Sequence, residues 1–239
     1  MPTTAPIAPP GPPAPPLPIQ PAGGEVRILI PTLSWAGYEN LLRELGDGGP
    51  RVSYLDGSAE LMAPDFLHER SGNVLRQMVV DLAVELRIPI SNLGSSTFKS
   101  RAARRGVEPD VCFYLNNRES LRGQAKGDLD ALPPPDLVIE VEITSPLLDK
   151  LDIYAGLGVP EIWRHDGRTL TVLLLQADGK YLPADRSRAF PFLPLADFVR
   201  QMDAFDPDGE VEWIVAYRAW VRDVVAPLHQ PGPRPPHGA

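Results

Sequence analysis

Apolar residues recur along the middle of the chain with two periods, and each period predicts a different element. Over residues 68–87 they return every three or four positions, which predicts an amphipathic helix that Pro89 ends. The apolar positions of this helix are Val74, Leu75, Met78, Val79, Leu82 and Leu86. Residues 137–143 are apolar at most positions, which is typical of a central strand covered on both faces. The pattern therefore predicts an α/β protein.

Shorter segments complete this pattern. Asp56-Gly57 is a strong turn pair and predicts a hairpin over residues 52–63, and Asp178-Gly179 predicts a second hairpin turn. Further helices are predicted at residues 35–45, from Pro146 to about residue 156, at 195–202 and at 211–225. Further strands are predicted at residues 90–100, 107–115, 161–165 and 169–176, with a loop at 116–135.

The two ends of the chain differ from this pattern. Residues 1–24 include ten prolines and almost no charge, so we expect a disordered or polyproline-like tail there. Residues 229–239 have a similar composition and predict a second disordered tail. The remaining residues, 25–228, suit one globular domain with a sizeable core.

Composition narrows the functional classes. The formal net charge is −8, which disfavours tight nonspecific binding of a polyanion but does not exclude a nuclease with local basic groups. The single cysteine, Cys112, allows no disulfide within the chain. There is no apolar run long enough to cross a bilayer and no secretory signal pattern at the N-terminus, so we expect a cytoplasmic protein without a membrane partner.

Two carboxylates interrupt the apolar run at residues 137–143. Strand side chains alternate between faces, so Glu140 and Glu142 are expected on the same face. Neighbouring ionised carboxylates repel each other, and their burial is costly unless a cation neutralises them. Asp110 follows Pro109 at the start of an apolar strand, and Lys150 lies on the element after the two glutamates. Paired acids with a lysine are what metal-assisted phosphodiester hydrolysis requires.

This ordered set resembles the PD-(D/E)XK nuclease superfamily and, more closely, the Uma-type family of bacterial restriction endonucleases. The resemblance covers roughly residues 31–200, and the order of the motifs is more specific than any one of them. The matching positions are Asp56-Gly57 with Glu60, His68, Pro109-Asp110, Pro135-Asp136-Leu137 with Glu140, Thr144-Ser145, Lys150, Ile153-Tyr154-Ala155, Gly158-Val159-Pro160-Glu161 and Trp163-Arg164.

The resemblance implies a fold, a cofactor and a substrate. The implied fold is a single mixed central sheet flanked by helices, with the acids on adjacent central strands. The implied cofactor is Mg²⁺, or Mn²⁺ in its place, bound by Asp110 and Glu140, with Glu142 as a partner. Lys150 would stabilise developing charge or position the attacking water. The implied substrate is DNA, and a homodimer is plausible because two strands require two active sites.

One departure from the superfamily pattern leaves two alignments open. The superfamily places lysine two residues after the acid, whereas Glu142 stands two residues after Glu140 here. The resemblance implies that the lysine has moved to the following helix, as Lys150. The Pro-Asp-Leu motif selects Glu140 as the principal acid, while the spacing to Ser145-Pro146 selects Glu142. We favour Glu140 as the main ligand.

Other residues are candidates for supporting roles. His68 and Glu69 open the long helix, where a carboxylate can join a metal site or simply favour the helix dipole. Tyr154 lies four residues after Lys150 and shares its helix face, so it either packs, orients the lysine or touches the substrate. A basic cluster is either a solvated turn or a phosphate-contacting loop; it consists of Lys99, Arg101, Arg104 and Arg105.

Three functions remain open from the sequence. The first is a Mg²⁺-dependent DNA endonuclease. The second is a catalytically weak or inactive nuclease fold that serves as a binding or regulatory module, which the acidic net charge and the displaced lysine favour. The third is a nuclease that acts on RNA, since the same acids would serve.

Overall fold

The strands form two sheets of six strands each within the described residues. The computed structural model describes residues 20–22, 24–46, 48–122 and 132–229. Within these residues, sheet A has the strand order β1-β2-β4-β3-β7-β6 and sheet B has the order β12-β11-β10-β9-β8-β5. Sheet A is antiparallel throughout, while sheet B is mixed because β9 and β10 run parallel.

Twelve strands are found among the described residues. Sheet A contains β1 (Gln20–Ala22), β2 (Glu25–Ile30), β3 (Arg51–Leu55), β4 (Ser58–Ala63), β6 (Phe98–Ser100) and β7 (Arg105–Val107). Sheet B contains β5 (Ser91–Gly94), β8 (Val111–Tyr114), β9 (Leu137–Val141), β10 (Glu161–His165), β11 (Leu170–Leu175) and β12 (Tyr181–Ala184).

Five α-helices flank the sheets in the described part of the chain. They are α1 (Trp35–Leu45), α2 (Phe66–Leu86), α3 (Lys150–Leu157), α4 (Leu195–Asp203) and α5 (Glu210–Trp220). A π-helical turn at Val221–Val225 extends α5, and a short 3₁₀ helix covers Asn117–Leu121. No helix in these described ranges is long and apolar enough to cross a membrane.

The hairpin of β3 and β4 follows directly from its turn residues. Asp56 and Gly57 have φ values of 47° and 104°, as a two-residue hairpin turn with positive φ at both positions requires. Gly57 takes this conformation without a side-chain penalty, and aspartate tolerates it better than most residues. The tight turn fixes the register in which Ser53 pairs with Glu60.

Sheet B is covered on both faces, as the apolar sequence of β9 predicts. Leu137, Ile139 and Val141 belong to a core cluster that also includes α2, α4 and α5. Val138, on the opposite face, packs in a second cluster with Ile153 of α3. Glu140 shares this second face and is also buried.

Cys112 lies on β8 in the second core cluster. Its side chain is fully buried, and its Sγ–H donates to the carbonyl oxygen of Gly94 at 3.3 Å. Burial raises the pKa of this thiol to about 12.

The predicted α/β class is confirmed, and several predicted boundaries are corrected. The strand predicted at residues 90–100 is divided between β5 in sheet B and β6 in sheet A. The strand predicted at 107–115 corresponds mainly to β8 in sheet B, and only Val107 belongs to β7 in sheet A. The sequence interpretation treated each as one strand, although Gly94-Ser95-Ser96 and Pro109-Asp110 are turn-type sequences at the two breaks. The helix predicted from Pro146 begins at Lys150, because Asp149 caps α3 through a bond from the amide of Asp152.

The ends also differ in part from the predicted tails. Gln20–Ala22 forms β1 against β2, within the segment expected to be irregular. His229 contacts the ring of Phe192 with 4.4 Å between the ring centroids. The other residues of the predicted tails, apart from Gly24, lie outside the described residues.

Candidate active site

Strand pairing brings Asp110 and Glu140 together. Asp110 stands immediately before β8, and β8 pairs antiparallel with β9 in a register that sets Val111 against Ile139. The backbone amide of Val141 donates to Oδ2 of Asp110 at 2.6 Å, which fixes this carboxyl group beside β9. Both acids are buried, with 7% and 1% of their surface exposed. Asp110, just before β8, and Glu140, on β9, therefore come from neighbouring segments of sheet B.

Helix α3 supplies two partners for Glu140. Lys150 and Tyr154 lie one turn apart on the helix, so their side chains leave it in the same direction. The Nζ atom of Lys150 lies 2.6 Å from Oε2 of Glu140, and the hydroxyl of Tyr154 donates to Oε1. Both partners are buried. The helix thus directs a cation and a hydroxyl at the same carboxylate.

On its other side, Asp110 contacts two basic residues from sheet A and α2. The Nε2 atom of His68 lies 2.9 Å from Oδ1 of Asp110, and NH1 of Arg51 lies 2.5 Å from the same oxygen. Arg51 also binds Glu69, at 2.9 Å. Glu69 is half-exposed and reaches Asp110 only through Arg51, whereas His68 contacts Asp110 directly.

A second layer of charged residues lies behind His68. Its Nδ1 atom is 2.6 Å from Oε1 of Glu25 on β2. Arg27, two residues along the same strand, lies 3.1 Å from Glu25 and 2.5 Å from Glu60. Glu60 in turn accepts from the backbone amides of residues 147 and 148, which lead into α3. Glu25, Glu60 and Asp110 are thereby linked with Arg27, Arg51 and His68, while Glu140 and Lys150 form a separate ion pair.

The pKa values follow from burial and these partners. Burial alone would raise the pKa of Asp110, but the hydrogen bond from His68 and the charges of Lys150 and Arg51 lower it to about 2. Burial raises the pKa of Glu140 to about 7, where the charge of Asp110 adds to the effect of burial and Lys150 opposes it. The two acids therefore differ in how readily they ionise.

The cationic groups remain charged. Burial alone would lower the pKa of Lys150, but the charges of Glu140 and Asp110 raise it above its usual value. Burial would also lower the pKa of His68, but hydrogen bonds to Asp110 and Glu25 raise it to about 9. Nδ1 of His68 faces Glu25, while Nε2 faces both Asp110 and NH1 of Arg51, the latter at 2.7 Å, so the ring bridges two carboxylates beside a guanidinium.

Glu142 occupies a different environment from Glu140. It lies just beyond β9, where its backbone amide donates to the carbonyl oxygen of His165 at 2.8 Å. Its carboxylate is 4.0 Å from the guanidinium of Arg164, and 14% of the side chain is exposed. Burial raises its pKa, although Lys150 and Arg164 oppose the effect. Only Glu140 of the two touches Lys150 and Tyr154 within hydrogen-bonding distance.

The basic cluster forms ion pairs with nearby acids. Lys99 and Arg101 lie 3.4 and 3.3 Å from Glu39 of α1. Arg105 contacts Asp56 at 2.8 Å and Asp152 of α3 at 3.2 Å, and Arg104 lies 3.9 Å from Asp56. Arg101 and Arg104 are mostly exposed, while Arg105 is largely covered. A role in phosphate contact stays a prediction.

Sequence reasoning did not identify three charged residues of this site. Glu25 and Arg27 alternate with apolar residues on β2, and the argument used for Glu140 and Glu142 would have placed both on one face. Arg51 stands at the start of the predicted hairpin, where an arginine gives no separate signal. Their partners come from distant parts of the chain, so periodicity alone could not have paired them.

The residues present fit a cation that prefers oxygen ligands. Asp110 and Glu140 are hard donors held close enough for the charge of one to raise the pKa of the other. Among the described residues, no group of three or more His, Cys, Asp and Glu is arranged to hold a metal. A metal here would therefore rest on two carboxylates, with water and substrate oxygens as further ligands, which is usual for Mg²⁺.

Acids on adjacent strands of a mixed sheet, with a buried lysine on the following helix, define a restriction-endonuclease-like α/β protein. Residues 35–204 match the Uma2 family, whose description is "Putative restriction endonuclease". The match covers well over half of the chain, and the protein therefore belongs to this family. Membership supports a nuclease function and implies a nucleic acid substrate.

Comparison with solved structures gives a similar protein from Anabaena variabilis, described as "a putative nuclease belonging to DUF820". The two are 14% identical, with a TM-score of 0.45, over 73% of this chain and 97% of the other. A comparison with curated proteins gives no match.

Proposed function

We propose that the protein is a divalent-metal-dependent endonuclease that hydrolyses DNA. The observation that carries the proposal is the contact between buried Lys150 and Glu140, with Asp110 on the adjacent strand. A buried ion pair is costly to desolvate and is weak evidence for a purely stabilising role. Charged groups gathered at one place in this way are typical of catalytic sites.

Each residue has a role in this proposal. Asp110 and Glu140 would hold Mg²⁺ or Mn²⁺, which would polarise the scissile phosphate and lower the pKa of bound water. Lys150 keeps its proton because its pKa is raised, so it would stabilise negative charge rather than accept a proton. Tyr154 would hold the Glu140 carboxylate in place. Glu142, near Arg164, would support the metal through water.

The test is cleavage of supercoiled plasmid by the full chain with Mg²⁺, Mn²⁺ or EDTA. Asp110→Asn and Glu140→Gln keep the shape of each side chain and remove the charge. Glu161→Gln is the matched control, because Glu161 is equally buried and, among the described residues, its carboxylate accepts from the indole of Trp163 and the amide of Ala189, which lie outside the site. We expect metal-dependent cleavage that falls at least about 100-fold in both site variants and persists in the control.

Whether the plasmid product is open circular or linear tests whether the protein acts as a monomer or a homodimer. A single active site would nick one strand and give open circles, whereas a homodimer with two sites would give linear plasmid. Single-stranded and double-stranded RNA substrates in the same assay separate a DNA nuclease from an RNA nuclease.

Two observations favour a second function. The carboxylates of the site are already paired with protein cations, and the chain carries a net charge of −8. Both features suit an inactive nuclease fold that serves as a binding or regulatory module. Trace cleavage that is equal in the wild type and both site variants, together with no heat of Mg²⁺ or Mn²⁺ binding, would establish this alternative.

A further inference from the structure

Strand β2 precedes the part of the chain that matches the family, which begins at residue 35. It nevertheless directs two charged residues into the site. Glu25 and Arg27 lie on the same face of β2, and both are almost fully buried, with 1% and 4% of their surface exposed. Their partners lie on other elements, so the strand is joined to the site by side chains.

Glu25 holds His68 from behind. The distance from Oε1 of Glu25 to Nδ1 of His68 is 2.6 Å, and the imidazole ring is fully buried. Oε2 of Glu25 accepts from Arg27 and from the hydroxyl of Thr144, and Arg27 also donates to this hydroxyl, at 2.9 Å. Since both oxygens of Glu25 form hydrogen bonds, the orientation of its carboxylate is fixed, and with it the orientation of the His68 ring.

The orientation of the His68 ring in turn fixes one oxygen of Asp110. Its Nε2 lies 2.9 Å from Oδ1 of Asp110, while Oδ2 accepts from the amide of Val141. A carboxylate bound at both oxygens cannot rotate freely. Residues that orient a ligand through hydrogen bonds change metal affinity or activity by about 10- to 100-fold when they are replaced.

We propose that Glu25 and His68 are positioning residues of the active site, and that β2 acts on catalysis by holding Asp110 through them. The inference rests on the proposed function, in which Asp110 is a metal ligand. Neither residue is expected to touch the substrate. Their effect should therefore appear in the turnover rate and in metal affinity, and much less in the KM for DNA.

A double-mutant cycle tests this chain of contacts in the full-length protein. Glu25→Gln keeps the side-chain shape and removes the charge, and His68→Gln cannot bridge both carboxylates. If Glu25 acts through His68, the double variant should lose no more than His68→Gln alone, because coupled residues are not additive. Glu161→Gln, combined with His68→Gln in the same way, should give only the effect of His68→Gln.

Two readouts are measured for each variant: the cleavage rate at saturating plasmid and the Mn²⁺ affinity by calorimetry. We expect His68→Gln to lower the rate about 10- to 100-fold and to weaken Mn²⁺ binding, with little change in KM. Additive losses in the cycle, or an effect confined to KM, would overturn the proposal. If His68→Gln does not fold by circular dichroism, equal rates for Glu25→Gln and Glu161→Gln would overturn it.

The two readouts separate the failure of this inference from the failure of the proposed function. Wild-type protein that binds Mn²⁺ but cleaves nothing contradicts the nuclease proposal, while the cycle in Mn²⁺ affinity still decides the role of Glu25. If the wild-type protein neither binds Mn²⁺ nor cleaves plasmid, both this inference and the proposed nuclease function are wrong.

Discussion

Glu140 is the residue whose charge depends most on its surroundings. It is buried against Lys150 and Tyr154, with Asp110 on the neighbouring strand. Burial and Asp110 favour the neutral acid, whereas Lys150 favours the carboxylate, and the balance sets a pKa of about 7. Removal of the lysine would shift this balance towards the neutral acid.

Lys150→Met should therefore make stability depend more strongly on pH. A folded-state pKa of about 7, above the usual 4.5, means that the stabilising contribution is full below pH 4.5 and is lost as pH rises through 7. Without the ammonium this loss should extend above pH 7, so the variant should be less destabilised at pH 6 than at pH 8.5. Urea unfolding at both pH values measures the difference.

The matched control is the double variant Lys150→Met with Glu140→Gln. The glutamine amide at position 140 does not titrate, so the extra pH dependence of the free energy of unfolding should disappear. An equal destabilisation by Lys150→Met at pH 6 and pH 8.5 would show that the lysine does not control the ionisation of Glu140.

Much of the site at this scale follows from local sequence. Asp110, Glu140 and Lys150 were predicted together from the order of the motifs, and Tyr154 was expected on the helix face of Lys150, whereas its contact with Glu140 was not predicted. Glu25 and Arg51 were not predicted, because their roles depend on contacts with residues 43 or more positions away. Pairing over such distances is set by tertiary packing, which one sequence does not reveal.

At the scale of elements, α2 matters because its first turn carries His68. Asp65 caps this helix, and its Oδ1 accepts from the backbone amide of His68 at 2.8 Å. An N-cap side chain satisfies an amide that has no partner within the helix. The same bond therefore stabilises α2 and fixes the backbone of a residue in the site.

Asp65→Ala should lower the free energy of unfolding by about 1 kcal/mol, because it leaves this amide without its side-chain partner. Thermal unfolding followed by circular dichroism provides the measurement. Asp65→Asn is the control and should retain most of the stability, since asparagine caps helices about as well. Equal losses in the two variants would assign the effect to the charge of Asp65 rather than to capping.

The positions of the strands and helices were predicted better than the way the strands pair into sheets. The Asp56-Gly57 hairpin and the buried strand β9 were found where the turn residues and the apolar pattern placed them. The division into two sheets was not predicted. The chain changes sheets between β5 and β6 at the turn-type residues Gly94-Ser95-Ser96, which the prediction included in one strand.

For the whole molecule, the buried ionic residues join the two sheets. Glu25 and Arg51 belong to sheet A, whereas Asp110 and Glu140 lie on strands of sheet B or beside them. His68 and Lys150 connect the sheets to α2 and α3. Loss of these charges should therefore affect both sheets.

Acid should unfold the two sheets in one transition. The pKa values of Glu25 and Asp110 are both lowered to about 2, from 4.5 and 3.8, so their stabilising contribution is present above these usual values and is lost as pH falls towards 2. Hydrogen exchange measured by mass spectrometry should show peptides of β3–β4 and of β9–β10 losing protection over the same pH range. Separate transitions would show that the ionic residues do not couple the sheets.

The buried thiol of Cys112 can report how often β8 opens to solvent. Only a thiolate reacts readily with alkylating reagents, and a pKa of about 12 leaves almost none of it while β8 is packed. The chain has one cysteine, so any labelling comes from this position. The rate at which an alkylating reagent consumes the thiol therefore measures how often β8, next to the edge strand β5 of sheet B, is exposed to solvent, with no added probe.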